Sequence, residues 1–331
     1  MAAKPTAKPC DTAKPCDTAK PRDAAASGPC GAIERAGVRL AWRELGGAGS
    51  PVLLLHGLAG YAGEWSQTAE WLSERHRVVA FDARGHGRSE RFPRDVSRAA
   101  HVADAAYVIE RLELGPCAVI GQSLGGLTAL LLAAAHPALV RALIVAEAMP
   151  AAPGQAGIAH VERSLASWPL PFATREAAVR FFGEPSREPS CEQSREPPHE
   201  QCREQSLAAA TWADGLERRD DGWWPRFDVS VLIRTLRDAP PGSYWSEWER
   251  ISCPTLRDAP PGSYWSEWER ISCPTLVVRA GNGTLADADA RRMQALPGSR
   301  LATIAGAGHD VHLERPAAWR HTVTEFLASL A

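Results

Sequence analysis

The 331 residues contain no apolar run of the roughly 18 that a membrane-spanning helix needs, so no membrane segment is expected. They also lack any block of lysine or arginine. The 37 bases and 39 acids are interspersed and give a formal net charge of -2, which argues against nucleic acid and for a small, uncharged or weakly charged ligand. Eight cysteines are present (Cys10, Cys16, Cys30, Cys117, Cys191, Cys202, Cys253 and Cys273), but no pair has the CxxC spacing of a metal site. They read as reduced thiols of a cytoplasmic protein. The first thirty residues have no apolar core of the kind a secretory signal requires. With no GxGxxG and no glycine-rich turn ending in GK[ST], neither a cofactor nor a metal is expected. Nothing in the patterning sets an oligomeric state.

Three segments repeat themselves. AKPCDT occurs twice in succession near the start and continues as AKPRD, a proline-punctuated composition with too little apolar surface to order itself, so residues 1–30 are expected to form a disordered tail. Residues 184–206 repeat the SREP unit with almost no apolar side chain and read as a solvated loop. RDAPPGSYWSEWERISCPTL occupies 237–256 and recurs unchanged at 257–276. An identical tandem of that length is too short and too perfect for a solenoid and reads as a duplication. Only the second copy runs into the apolar VVRAG, so the first is expected to be extruded, with Trp245 and Trp248 competing with Trp265 and Trp268 for one place.

The remainder alternates strand-like and helix-like patterns, which specifies an α/β fold with a mostly parallel sheet flanked by helices. Apolar runs predict strands at Val38–Leu45, Pro51–Leu55, Arg77–Phe81, Cys117–Gly121, Arg141–Ala146, Thr275–Arg279 and Arg300–Ile304, with helices at 98–113 and 124–135. From about 151 the order gives way to tryptophan-rich, helix-like pieces. The expected division is a first core part at 31–150, a helical cap at 151–270 and a second core part at 271–331.

Three motifs carry chemistry. In VIGQSLGG (119–126) an apolar strand runs through GxSxG into an Ala- and Leu-rich helix, the context of a nucleophile elbow that presents Ser123. Gly121 and Gly125 remove side chains that would crowd the turn. In LLLHGLAG (53–60) a strand ends in a sharp turn whose backbone amides can face a cleft; with the amide of Leu124, that of Leu58 is a candidate oxyanion hole. His56 is expected to brace that loop. In IAGAGHDVHLERP (304–316) a glycine-rich turn presents His309, a candidate general base, with Asp310 and His312 as local loop partners.

HGLAG at 56–60, FDARGHGRS at 81–89, GQSLGG at 121–126 and GAGHDVHLERP at 306–316, in that order, resemble the α/β-hydrolase fold family over roughly residues 31–331. The resemblance implies that Asp82, Arg84 and Ser89 fix loop geometry. It also exposes a departure. Many members carry an aspartate after the seventh strand, where this chain has Asn282 and Gly283, while Asp287 and Asp289 look like helix-start residues. Other members carry the acid at the end of the sixth strand, and here ALIVAEAMP places Glu147 at that point. An acid emerging from an apolar strand is costly without a partner, so Glu147 is the expected orienting acid, with Asp287 or the Asn282 amide as alternatives.

The function expected is a serine hydrolase cleaving an ester, lactone or related activated carbonyl of a small, apolar substrate. Perhydrolysis or carbon–carbon bond hydrolysis by the same residues is a second reading, and a non-catalytic ligand-binding hydrolase fold is a third. The tryptophan-rich cap, with Trp168, Trp212, Trp223 and Trp224, suggests an apolar or aromatic pocket.

Overall fold

A computed structural model describes residues 28–183, 199–238 and 263–330. In chain order these form β1 (Cys30–Arg35), β2 (Val38–Gly46), β3 (Ser50–Leu55), α1 (Ser66–Leu72), β4 (His76–Phe81), α2 (Arg98–Arg111), β5 (Cys117–Gln122), α3 (Leu124–Ala135) and β6 (Val140–Ala146). The cap follows as α4 (Gln155–Ala166), α5 (Arg175–Gly183), α6 (His199–Asp214), β7 (Leu216–Arg219), β8 (Gly222–Pro225) and α7 (Val229–Arg237). The chain then returns through α8 (Trp265–Trp268), β9 (Thr275–Ala280), α9 (Asp287–Gln294), β10 (Ser299–Ile304), α10 (Val311–Glu314) and α11 (Pro316–Ala328).

Eight strands form one sheet in the order β1-β2-β4-β3-β5-β6-β9-β10. The β1–β2 and β2–β4 pairs are antiparallel, and every pair from β4 to β10 is parallel. The central strands are apolar at most positions because helices cover both faces, which is why they read as runs rather than alternations. Successive side chains still part company. Leu53 and Leu55 join Val102, Ile109, Leu127 and Leu130 from α2 and α3 on one face, while Val52 and Leu54 join Leu72, Trp319 and Phe326 from α1 and α11 on the other. A fully buried leucine of this kind contributes about 1.5–3 kcal/mol, so the two layers together fix the sheet that carries the site.

The expected strands are all present to within a few residues. Three features differ from expectation. β1 begins at Cys30, inside the predicted tail, and is an exposed edge strand whose side chains give little apolar signal. Residues 199–206, expected in a solvated loop, belong to α6. The cap, expected to be helical, also holds the β7–β8 hairpin, turned at Asp220–Asp221. Residues 1–27 of the tail, residues 184–198 of the loop, and Trp245 and Trp248 of the first repeat lie outside the described residues. Of the second repeat, Trp265 and Trp268 are buried in the core layer with Tyr264.

Candidate active site

The parallel strands end at one edge, and the loops leaving β5, β6, β9 and β10 are stitched together there. The Ser123 amide donates to the Ala146 carbonyl (2.9 Å), the Glu147 amide to Val278 (3.0 Å) and the Asn282 amide to Ala307 (2.8 Å). Parallel strands put their carboxyl ends side by side, so residues far apart in sequence meet at this edge.

Ser123 occupies the turn between β5 and α3 with φ 50° and ψ -115°, a conformation that non-glycine residues rarely adopt. The turn is that tight because α3 presses back on the strand: a Cβ on Gly121 would stand 2.3 Å from the Gly125 carbonyl oxygen, and one on Gly125 2.2 Å from that of Leu55. Ser123 itself is half-buried. Leu124 is the first residue of α3, where amides have no partner within the helix. The Gly57–Leu58 loop passes close by, with a Cβ position on Gly57 only 3.4 Å from the Ser123 Cβ. Leu58 turns its side chain to the cap, packing with Ala59 against Leu165, Phe227 and Leu232.

Glu147, also at φ 50°, leaves the end of β6 fully buried. Its carboxylate accepts from the amides of Ala280 (2.7 Å), Thr284 (2.6 Å) and Leu285 (3.2 Å), from the Thr284 hydroxyl (3.3 Å) and from His309 Nδ1 (3.4 Å). Burial alone would raise its pKa, but the hydrogen bonds from His309 and the backbone amides outweigh it and hold the carboxyl below its ordinary range. The seat after β9 is filled from the side. A Cβ on Gly283 would come within 2.1 Å of Glu147 Oε2, so the absence of a side chain at 283 is what admits the carboxylate. Asp287 and Asp289 lie in the first turn of α9, and the Asp287 carboxylate pairs with Arg291.

His309 sits on the loop between β10 and α10 with its imidazole 38% exposed, open enough to meet a ligand. Nδ1 faces Glu147 Oε2 and, at 3.0 Å, the Thr284 hydroxyl. Desolvation would depress its pKa; the Glu147 hydrogen bond, followed by the Asp310 and Glu147 charges, reverses this and raises it above 6.5. The loop is tied to the elbow itself, because the Gln122 side-chain amide donates to the His309 carbonyl (3.0 Å) and to Asp310 Oδ1 (3.4 Å). Thr284 and Gln122, neither marked by a motif role of its own, also contact the candidate site. Gln122 stands inside the GxSxG motif, next to Ser123, and that position was its only signal.

The supporting residues bind loops to one another. His56 is buried, accepts from the Ala83 amide at Nε2 (2.9 Å) and so donates from Nδ1 to the Gly57 carbonyl (2.8 Å). Asp82 accepts from the amides of Ala62 (2.6 Å) and Arg88 (2.7 Å), Ser89 from that of Ala41 (2.9 Å), and Arg84 grips Asp104 through two bonds (2.6 and 2.7 Å). His312 is buried against Trp65 at 4.3 Å and faces Glu64 at 3.4 Å. In the cap, Trp168 packs edge-on against Phe182 and Trp212, at 5.0 and 6.4 Å between ring centres. Trp223 and Trp224 lie on the hairpin strand β8. Among the described residues no group of three or more acids, histidines and cysteines is placed to hold a metal, and no helix is long and apolar enough to cross a membrane.

A family model described as the alpha/beta hydrolase fold matches residues 50–316. A putative carbamate hydrolase, RutD of Azorhizobium caulinodans, is 37% identical over 113 residues, 34% of this chain and 42% of that protein. The sn-1-specific diacylglycerol lipase ABHD11 of Mus musculus is 38% identical over 101 residues, 30% of this chain and 33% of the lipase. These matches therefore span less than half of each relative. Among solved structures, E-2-(acetamidomethylene)succinate hydrolase superposes with a TM-score of 0.71 at 22% identity, covering 91% of this chain and 99% of that one. The enol-lactonase of Burkholderia xenovorans gives 0.65 at 19% identity, over 90% and 100%. At these identities the likeness is one of fold.

Proposed function

The chain belongs to the α/β-hydrolase fold family, and on that premise we propose that it is a serine hydrolase cleaving an ester, lactone or related activated carbonyl of a small, apolar substrate through an acyl-serine intermediate. Ser123 Oγ attacks the carbonyl carbon while His309 Nε2 takes its proton; the tetrahedral oxyanion is received by the amides of Leu58 and Leu124; the imidazolium then protonates the leaving group. Water repeats the sequence on the acyl-enzyme. Glu147 holds the tautomer with the proton on Nδ1 and stabilises the imidazolium. The supporting observation is the contact between His309 Nδ1 and a buried, ionised Glu147, on a loop bonded to the residue before Ser123. The relatives named as a carbamate hydrolase and a lipase support the same class of chemistry.

A fluorophosphonate probe tests the reading. The folded protein is expected to be labelled, and Ser123→Ala to lose all labelling while keeping its melting temperature. A folded wild-type protein that never labels would instead be a ligand-binding hydrolase fold. A panel of acyl esters of graded chain length then sets the substrate size.

A further inference from the structure

The His309 loop is suspended from three places, and one of them is the cap. From below, the Glu314 carboxylate accepts from the amides of Gly308 (2.7 Å) and Asp310 (3.1 Å), a bond pattern within its own loop and short helix. From the elbow, Gln122 donates to the His309 carbonyl and to Asp310 Oδ1. From the cap, the indole N–H of Trp212, near the end of α6, donates to Asp310 Oδ2 (3.2 Å). The two oxygens of Asp310 are thus shared between the residue before Ser123 and a residue of the cap.

We propose that Trp212 and Gln122 are positioning residues for His309, Trp212 acting through the Asp310 carboxyl and Gln122 through the His309 carbonyl and that same carboxyl, so that the seating of the cap sets where the imidazole stands relative to Ser123. This rests on the serine-hydrolase reading above and adds to it a dependence of the chemical step on a hydrogen bond from the cap. Gln122 is 2% exposed, and its amide is spent wholly on this loop. A buried polar chain of this kind is costly to a core unless every member is satisfied. Burial, with Glu64 and Glu314 nearby, raises the Asp310 pKa against the opposing pull of His309 and His312, while its two oxygens keep the Gln122 and Trp212 donors. The indole cannot drift freely, because Trp168 and Phe182 pack on it at 6.4 and 6.0 Å between ring centres. Base and nucleophile must hold their places to a fraction of an ångström, and a displacement near 1 Å costs about 100-fold in rate.

The test uses two substitutions that delete donors, Trp212→Phe, which keeps an aromatic ring, and Gln122→Met, which nearly keeps the volume, in the full chain. Each is expected to lower kcat about 10-fold or more with KM within about 2-fold, and to slow inactivation by a small fluorophosphonate in proportion. Such a probe leaves the cap pocket mostly empty, so its rate reports the serine and histidine rather than substrate packing. The double variant is expected to be less than additive, since both donors hold the same two-residue stretch, His309 and Asp310. If Trp212 served only to pack the cap, KM would rise and the inactivation rate would stay at the wild-type value; that result for both variants overturns the proposal. Should Trp212→Phe lower the melting temperature too far to assay, Asp310→Leu, which removes the acceptor of the cap bond and leaves the indole in place, decides by the same two readouts. A wild-type protein that does not react with the probe overturns the hydrolase reading and the proposal with it, whereas reactive wild type with unaffected variants overturns the proposal only.

Discussion

Two carboxyls flank His309, and they are held in opposite ways. Glu147, on the side of β6 and β9, faces three backbone amides and a hydroxyl, and these donors keep it ionised although its side chain is fully buried. Asp310, on the side of α10 and the cap, has one side-chain donor at each oxygen, and burial pushes its pKa up. The number of fixed N–H groups aimed at each separates them, because hydrogen bonds to the charged form are what lower a carboxyl pKa against desolvation. On the proposed reading, the side rich in amides fixes an ionised carboxylate against the imidazole, while the other, whose charge also helps to raise the His309 pKa, ties the loop to the cap.

The sharpest way to break this contrast is Glu147→Gln. Loss of the orienting charge is expected to reduce kcat/KM by about 1,000- to 10,000-fold. Because the Glu147 hydrogen bond and charge help to raise the His309 pKa, the acid limb of the residual pH–rate profile is expected to move to lower pH, read from kcat/KM between pH 5 and 9.

A smaller effect separates the two carboxyls by stability. The Glu147 pKa is lower folded than unfolded, so its contribution is complete above the ordinary 4.5 and is lost as pH falls through the folded value. Urea midpoints should therefore show wild type above Glu147→Gln at neutral pH, with the gap closing in acid. Asp310 has the reverse sign. Its folded pKa is raised, so its favourable contribution is complete below the ordinary 3.8 and is lost as pH rises through the folded value. Asp310→Asn should therefore gain on wild type as pH increases, and the same midpoints check it. Least of all, Thr284→Val removes a hydroxyl that touches both Glu147 and His309, while the backbone amides remain; a loss of roughly 3- to 10-fold in kcat is expected, from a net hydrogen-bond value near 1 kcal/mol.

Much of this edge was legible in the chain because glycines mark it. The elbow and the His309 turn are local, and their spacing survives without any knowledge of neighbours. Glu147 was legible because an acid ending an apolar strand is conspicuous. Thr284, the clamp from Gln122 and the Trp212–Asp310 bond were not, since each exists only after distant segments pack; residues 212 and 310 are 98 positions apart. In the fold, buried strands declared themselves by apolar runs. The exposed β1 and the β7–β8 hairpin, LERR and GWWP, had neither a run nor a clean alternation to read.

The vacancy of a side chain at 283 has an evolutionary consequence. An aspartate introduced there would drive its first carbon into the Glu147 carboxylate, and a chain that gave up Glu147 first would have no acid at all. The two arrangements are exclusive occupants of one space, so on the proposed reading a lineage could pass between them only by changing both positions together or by crossing an intermediate without its orienting acid.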